Sequence, residues 1–212
     1  MSEVNGFYDD IGVKGMESLT TEEKTHQMLD QVMNELNGSS VLDVGCGYGR
    51  LAIPLAENGF GVVGVDVNQA YVEEARRRSS NQNSTFYCED ILEFTPEQTF
   101  DNIICMWNTL MHFDDNELEI LVGKFHDWLE NEGVFFGELL RVTDADKKFL
   151  KTTDDGSCFM FEVGDNAIPM HMHPQEDIKE VLDRAGFSAY DVLLSDPYQE
   201  EHLQRIIIKA SR

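Results

Sequence analysis

Residues 41–50, VLDVGCGYGR, constrain the fold more than any other stretch of the chain. A short apolar strand, Val41 to Val44, runs into Gly45, Gly47 and Gly49 on alternate positions, and Arg50 then opens a helix-like stretch that reaches Asn58 and closes at Gly59. Glycines at this spacing let the backbone adopt conformations closed to other residues, approach a ligand closely and aim amide groups at it. The next apolar run, GVVGVDV, brings its strand to an end at Asp66, 21 residues beyond Gly45, the distance at which an acid can receive ribose hydroxyls. Strand, glycine turn, helix and second buried strand make a βαβ unit, which commits the chain to parallel pairing.

The remaining sequence continues the alternation. Thr21 to Leu36 places Met28, Leu29, Val32, Met33 and Leu36 on one helical face, and Thr20 with Glu23 has capping-box spacing. Gln69 to Arg78 reads as a helix, STFYCED and FDNIICMW as the third and fourth strands, and Asp114 to Leu129 as a helix with Leu118, Leu121, Val122 and Phe125 inward. VFFGELL follows as a strand; Pro174 precedes a helix that Gly186 stops; SAYDVLLS and HLQRIIIKA are close enough in sequence to predict an antiparallel pair. Residues 141–173 are less regular, with CFMFEV and IPMHMH as a small hairpin, and a stretch of this kind reads as a binding loop or lid. At 212 residues and 42% hydrophobic, the chain is expected to form one domain over 1–212, with an N-terminal lid or helix over 1–38 and a substrate-side insertion over 141–173. The expected class is α/β, a mostly parallel sheet with helices on both faces and a terminal antiparallel strand.

Charge narrows the partners. Forty Asp and Glu against 16 Lys and Arg give a net charge of -24, which repels a phosphate backbone, so nucleic acid is not an expected partner. The basic cluster Arg76, Arg77 and Arg78 sits at a helix end, where it complements the dipole without a ligand. The acidity favours a neutral or cationic acceptor, and general solubility or a salty cytoplasm would account for it equally well. No apolar run is long enough to span a bilayer and no secretory signal is evident, so a cytoplasmic location is expected. Cys46, Cys88, Cys105 and Cys158 stand singly with no CxxC, and no metal site is expected.

The glycine turn alone leaves a dinucleotide site open, although that site prefers G-x-G-x-x-G, and here Arg50 follows Gly49 with no glycine at the third fingerprint position. Carboxylates such as Asp43 and Asp66 suit hydroxyl and ammonium donors, whereas a pyrophosphate needs amides or positive charge. In order, VLDVGCGYG, the acid-ended VVGVDV, CEDI and FDNIICMW resemble the class I S-adenosylmethionine-dependent methyltransferases that act on small molecules. The resemblance is strong from Val41 through Leu140 and looser over the terminal strands. It implies a Rossmann-like seven-stranded sheet and S-adenosyl-L-methionine as cofactor. By the same resemblance, Gly45, Gly47 and Gly49 would cradle its amino acid portion, Asp43 would hold the ammonium side, and Asp66 would receive both ribose hydroxyls. Val67 would pack on adenine, Asp90 would accept from its amino group, and Ile91 would supply apolar contact. Arg50 could reach the carboxylate, and Met106 would border the methionyl part.

Ligands of open α/β sheets lie beyond the carboxyl ends of the strands, so the fourth strand points Trp107, Asn108 and His112 at the acceptor. The segment around His171 and His173, which alternate and share one side of a strand, forms a second candidate wall. Tyr8 belongs to an N-terminal segment that the resemblance makes a lid; a flexible acidic tail is the competing local reading. His112 and His171 are the candidate catalytic bases, and Tyr8, Trp107, Asn108 and His173 the candidate acceptor contacts. The expected reaction is methyl transfer to nitrogen or oxygen of a small molecule by in-line displacement. An NAD-dependent oxidoreductase and a noncatalytic cofactor-binding interaction protein are the alternatives. Oligomeric state is not legible.

Overall fold

The computed structural model describes residues 2–80, 82–197 and 202–212. Two helices, α1 (Ser2–Leu19) and α2 (Glu22–Glu35), lead into β1 (Ser40–Val44), α3 (Ala52–Glu57), β2 (Gly61–Asp66), α4 (Gln69–Arg78) and β3 (Ser84–Cys88). The second half runs β4 (Phe100–Cys105), a 3-10 turn (Thr109–His112), α5 (Asp115–Trp128), β5 (Leu129–Leu140), β6 (Cys158–Val163), β7 (Asn166–His171), α6 (Gln175–Ala185), β8 (Ala189–Ser195) and β9 (Arg205–Ser211). Seven strands form one sheet in the order β3-β2-β1-β4-β5-β9-β8, and β6 and β7 pair separately. The first five are parallel; β9 runs antiparallel to both β5 and β8. This is the expected Rossmann-like sheet.

The period of two along each strand divides the apolar residues between two faces. Leu42, Ile103, Phe135 and Ile206 join a core under α5 and α6, while their neighbours Val41, Ile104, Phe136 and Ile207 join a second core with Met28 and Val32 of α2 and Leu55 of α3. Burial on both faces explains why these strands read as continuous apolar runs. Because β1 pairs with β2 on one side and β4 on the other, the strand order reverses there. A crevice opens beyond their carboxyl ends at such a reversal.

Helix limits follow local chemistry. Asp114 and Glu117 close a reciprocal capping box on α5, and Gly186 ends α6 in the left-handed region at φ 94°. At α2 the expected capping box shifts by one residue: Thr21 accepts from Lys24 N–H. The Thr20 hydroxyl instead donates to Met16 O and meets the Tyr48 hydroxyl at 2.8 Å. Thr20 is drawn away because α1 packs over the glycine turn and buries it. The expected hairpin at 158–171 forms, with Cys158 opposite His171 and Val163 opposite Asn166.

Candidate active site

The crevice at the strand reversal is a cavity of about 970 Å³ counting its mouth, walled by the glycine turn, the end of β2, the exit of β4 and α1. Gly47 has φ 54°, and a Cβ there would meet only Tyr71 at 3.8 Å, so the space beside it is left to the cavity. Gly49 faces away: its absent Cβ makes room for Ile53, 2.8 Å from where it would stand. The turn does not aim its amides outward as expected. Gly45 and Cys46 N–H donate to Val65 O, Gly47 N–H to Asp66 Oδ2, and Gly49 N–H to Cys46 O. With those donors spent on the fold, the turn offers little to a pyrophosphate.

Two acids dominate this wall. Asp66 is fixed from both sides, Oδ2 accepting from Gly47 N–H at 2.8 Å and Oδ1 from Asn68 N–H at 2.9 Å, and burial raises its pKa against the pull of those bonds. Asp43, only 3% exposed, leaves Oδ2 buried with no hydrogen-bond partner among the described residues. Burial pushes its carboxyl up to about 7, the Arg50 charge opposing and the Asp66 charge assisting. Arg50 spans the two sides of the cavity, its Nη1 3.1 Å from Met28 Sδ and its guanidinium 4.9 Å from the centre of the Trp107 ring. Val67, Ile91 and Met106 line the cavity.

Helix α1 closes the opposite side. The Tyr8 hydroxyl lies 2.8 Å from His112 Nε2, and the rings meet edge to face at 5.6 Å. Tyr71 donates to Tyr8 O at 3.1 Å, and Asn68 Nδ2 donates to Asn5 Oδ1 and Asp9 Oδ1. The segment is therefore a docked helix, not a loose tail. It bends at Gly12, whose φ of 64° and ψ of 171° suit glycine almost alone. His112 Nδ1 is buried with no partner, and burial lowers the ring to about 4, with the neighbouring His171 acting in the same direction. The imidazole is neutral at physiological pH.

Between β4 and the 3-10 turn, Trp107 and Asn108 both take positive φ, 56° and 66°. Two successive non-glycine residues in this region cost of order 1–3 kcal/mol each. Trp107 lines the cavity; Asn108 does not, its Oδ1 accepting from Arg205 Nη1 at 3.3 Å. Asp90 also lies off the cavity lining, its Oδ1 capping the next turn at Leu92 N–H, while the neighbouring Glu89 and Ile91 face inward.

The histidine strand also stands apart from the cavity lining. His171 and His173 do share a side, with rings stacked 6.3 Å apart, yet neither lines the cavity. His171 Nδ1 is 3.4 Å from Cys158 Sγ; buried His173 bonds Phe113 O through Nε2 and stands 3.3 Å from Asp115 Oδ1 through Nδ1. The physical reason is that Phe159, Ile168 and Met170 anchor the hairpin in the core, so it backs α1 instead of facing a ligand. Glu89, Tyr48, Tyr71, Met16 and Thr20 are lining residues that the sequence reading missed. Among the described residues no group of three or more His, Cys, Asp or Glu side chains could hold a metal, and no helix is long and apolar enough to cross a membrane.

Residues 41–133 match the family described as "Methyltransferase domain". A ubiquinone biosynthesis O-methyltransferase of Coxiella burnetii is 41% identical over 83 residues, covering 38% of this chain and 35% of that protein. A magnesium-protoporphyrin O-methyltransferase of Synechocystis is 26% identical over 158 residues, 72% of this chain and 64% of that one. The matched stretches thus span about a third to under two thirds of these relatives. Among solved structures, the magnesium protoporphyrin IX methyltransferase of Synechocystis with bound SAH superposes with a TM-score of 0.74 at 21% identity, covering 100% of this chain and 98% of that one. A glycopeptide N-methyltransferase complexed with S-adenosylmethionine gives 0.66 at 15% identity, over 87% and 85% of the two chains.

Proposed function

We propose that the chain is a class I S-adenosylmethionine-dependent methyltransferase that transfers a methyl group to oxygen or nitrogen of a small molecule, as one domain over 1–212. The observation that carries the reading is the orphaned Asp43 Oδ2 in the wall of a cavity whose floor also presents Asp66. A buried carboxylate oxygen without a donor is costly, and the methionyl ammonium answers that need. Asp66 Oδ2 accepts from Gly47 N–H and Oδ1 from Asn68 N–H, and a carboxylate with about four lone-pair sites retains capacity for ribose hydroxyls. Gly47, beside Gly45 in the same wall, leaves room for the chain of the cofactor, Val67 and Ile91 offer apolar flanks to a base, Arg50 suits a carboxylate, and Met106 borders the methionyl end. Asp90, held in its turn, is left with adenine recognition only through its remaining acceptor capacity.

When bound, the cofactor supplies a methyl group already activated by its sulfonium. What remains for the protein is to align an acceptor lone pair, exclude water and take up the acceptor's proton. Trp107 gives a flat wall, and α1 through Tyr8 shuts out water. With Nε2 protonated and donating to the Tyr8 oxygen, His112 keeps the Nδ1 lone pair for the acceptor's proton; burial, which lowers the ring to about 4, holds it neutral and makes it a weaker base than a free imidazole. His171 and His173 have no part in this reading; His112 is the one catalytic candidate retained. The O-methyltransferase relatives favour oxygen as acceptor atom. A metabolite panel with methyl-labelled cofactor tests the proposal, alongside calorimetric titration of S-adenosylmethionine, its demethylated product and NAD. Label appearing only in nucleic acid or intact protein, or preferential binding of NAD, defeats it; tight cofactor binding without transfer to any acceptor would return the chain to a binding role.

A further inference from the structure

Glu138 on β5 and Arg205 on β9 lie outside the cavity lining, yet they form a buried ion pair, 3.0 Å apart and 0% and 1% exposed. In the register of these strands Glu138 faces Ile207 and Leu140 faces Arg205, so the two charges are diagonal neighbours on one face. Such a pair adds little stability over apolar residues of the same size, because desolvation offsets the attraction. Its other contacts converge on one place. Glu138 Oε1 also accepts the backbone N–H of Trp107 at 2.9 Å. Arg205 Nη1 reaches Asn108 Oδ1 at 3.3 Å, and its guanidinium lies 5.2 Å from the centre of the Trp107 ring.

We infer that Glu138 and Arg205 are positioning residues for the acceptor side of the cavity: together they hold Trp107 and Asn108 in the left-handed turn that aims the Trp107 indole and His112. The inference rests on the methyl-transfer reading above. The turn transmits that hold directly. Asn108 O accepts from Met111 N–H at 2.9 Å, starting the 3-10 turn that ends at His112, and Thr109 Oγ1 donates to Met106 O at 2.9 Å. Thr109 fills the space where a Gly45 Cβ would stand, 2.5 Å from it, so the turn is wedged against the glycine loop. Through Arg205 the terminal antiparallel strand, remote in sequence from every other wall, takes part in placing the acceptor.

Trp128→Phe leaves Trp107 as the sole indole reporter, since the chain has two tryptophans. In that background Arg205→Met should lower kcat/KM for the acceptor by about a hundredfold, the scale of an ångström-sized misplacement, while the Kd for S-adenosylmethionine changes far less. In the unliganded protein the Trp107 emission should move to the red and its anisotropy fall. Adding Asn108→Gly, which accepts positive φ without strain, should recover about tenfold of the lost kcat/KM without recovering the thermal midpoint. Glu138→Gln keeps an oxygen for the Trp107 amide and gives a smaller loss in the same direction, so it carries the test if Arg205→Met does not fold. The inference is overturned if activity simply tracks the thermal midpoint across these variants, if the Trp107 signal is unmoved, or if glycine at 108 restores nothing. A failure of the methyl-transfer reading is separate: it shows as absent transfer by the unaltered protein, and the fluorescence arm still decides the positioning claim.

Discussion

The wall proposed to hold the cofactor and the wall proposed to hold the acceptor are built by different means. The centre of the first comes from one continuous stretch, Val41 to Asp66, in which a strand, a turn and a second strand bond to one another through Val65 O and the Asp66 carboxylate, with Val67, Ile91 and Met106 added at its edges. The second is assembled from α1 and the exit of β4, and β5 and β9 back it from outside the lining; Tyr8 on His112, Trp107 on Glu138 and Asn108 on Arg205 hold these parts together. A wall made from local backbone bonds is rigid once the sheet forms. A wall made from side chains that meet across the fold can change its acceptor without disturbing the cofactor site, and it exposes more points at which it can fail.

Breaking the first wall should have the largest effect. Asp66→Ala removes both acceptors offered to the ribose, and hydrogen bonds to a charged group contribute about 1.5–3 kcal/mol each, about 3–6 kcal/mol for two, so calorimetry should record a Kd for S-adenosylmethionine raised by roughly a hundred- to ten-thousandfold. An unaltered Kd in a folded variant would remove Asp66 from the site. In the second wall, His112→Ala should lower kcat by about a hundredfold, within the range for general base catalysis, with little change in cofactor affinity. Tyr8→Phe keeps the ring packing and loses the hydroxyl bonded to His112, so single-turnover rates should fall by a smaller factor in the same direction. Equal damage to cofactor Kd from the His112 and Asp66 variants would erase the distinction between the walls.

The same division explains what could be read from the sequence. The glycine turn, Asp66 and the buried cost of Asp43 were legible because their chemistry lies within one βαβ unit. The alternation of strands and helices and the antiparallel terminal pair were legible from apolar runs and short connections, whereas the strand order came only with the structure. Glu138 and Arg205 were not, since each reads as an ordinary charge in a strand until the register makes them neighbours. The alternation of His171 and His173 correctly placed both on one side; periodicity cannot say whether that side lines the cavity, and with Phe159 and Met170 packed in the core neither histidine does. Thr20 had the local signal for a cap and was claimed by Tyr48, a tertiary contact that overrode it.

A milder perturbation separates closure from chemistry. At Gly12 a Cβ would meet nothing within 4 Å, so Gly12→Ala adds no clash and tests the backbone alone. Alanine at φ 64° and ψ 171° costs about 1–3 kcal/mol, and the strain falls on the docking of α1. Hydrogen exchange should show α1 losing protection while β1 and β2 keep theirs, and kcat/KM should drop by roughly tenfold as the closed population shrinks. Equal protection in both elements would mean that α1 is no lid.

The smallest effect is a pH dependence, and its sign distinguishes the two walls. Asp43 is raised from 3.8 to about 7 in the folded protein, so its contribution to stability is complete below 3.8 and is lost as pH rises through 7. His112 is lowered from 6.5 to about 4, so its contribution is present above 6.5 and is lost as pH falls towards 4. Between pH 8 and 6.5 Asp43 therefore acts without opposition from His112, and it tends to raise the thermal midpoint of the unliganded protein as the solution is acidified. Cofactor binding runs the other way: the methionyl ammonium needs the ionised carboxylate, so affinity should weaken by about fivefold from pH 7 to pH 6, with proton release visible as buffer-dependent binding enthalpy. Asp43→Asn should abolish both slopes together. If the proton release survives that substitution, the titrating group lies elsewhere, and Asp43 is not the residue that meets the ammonium.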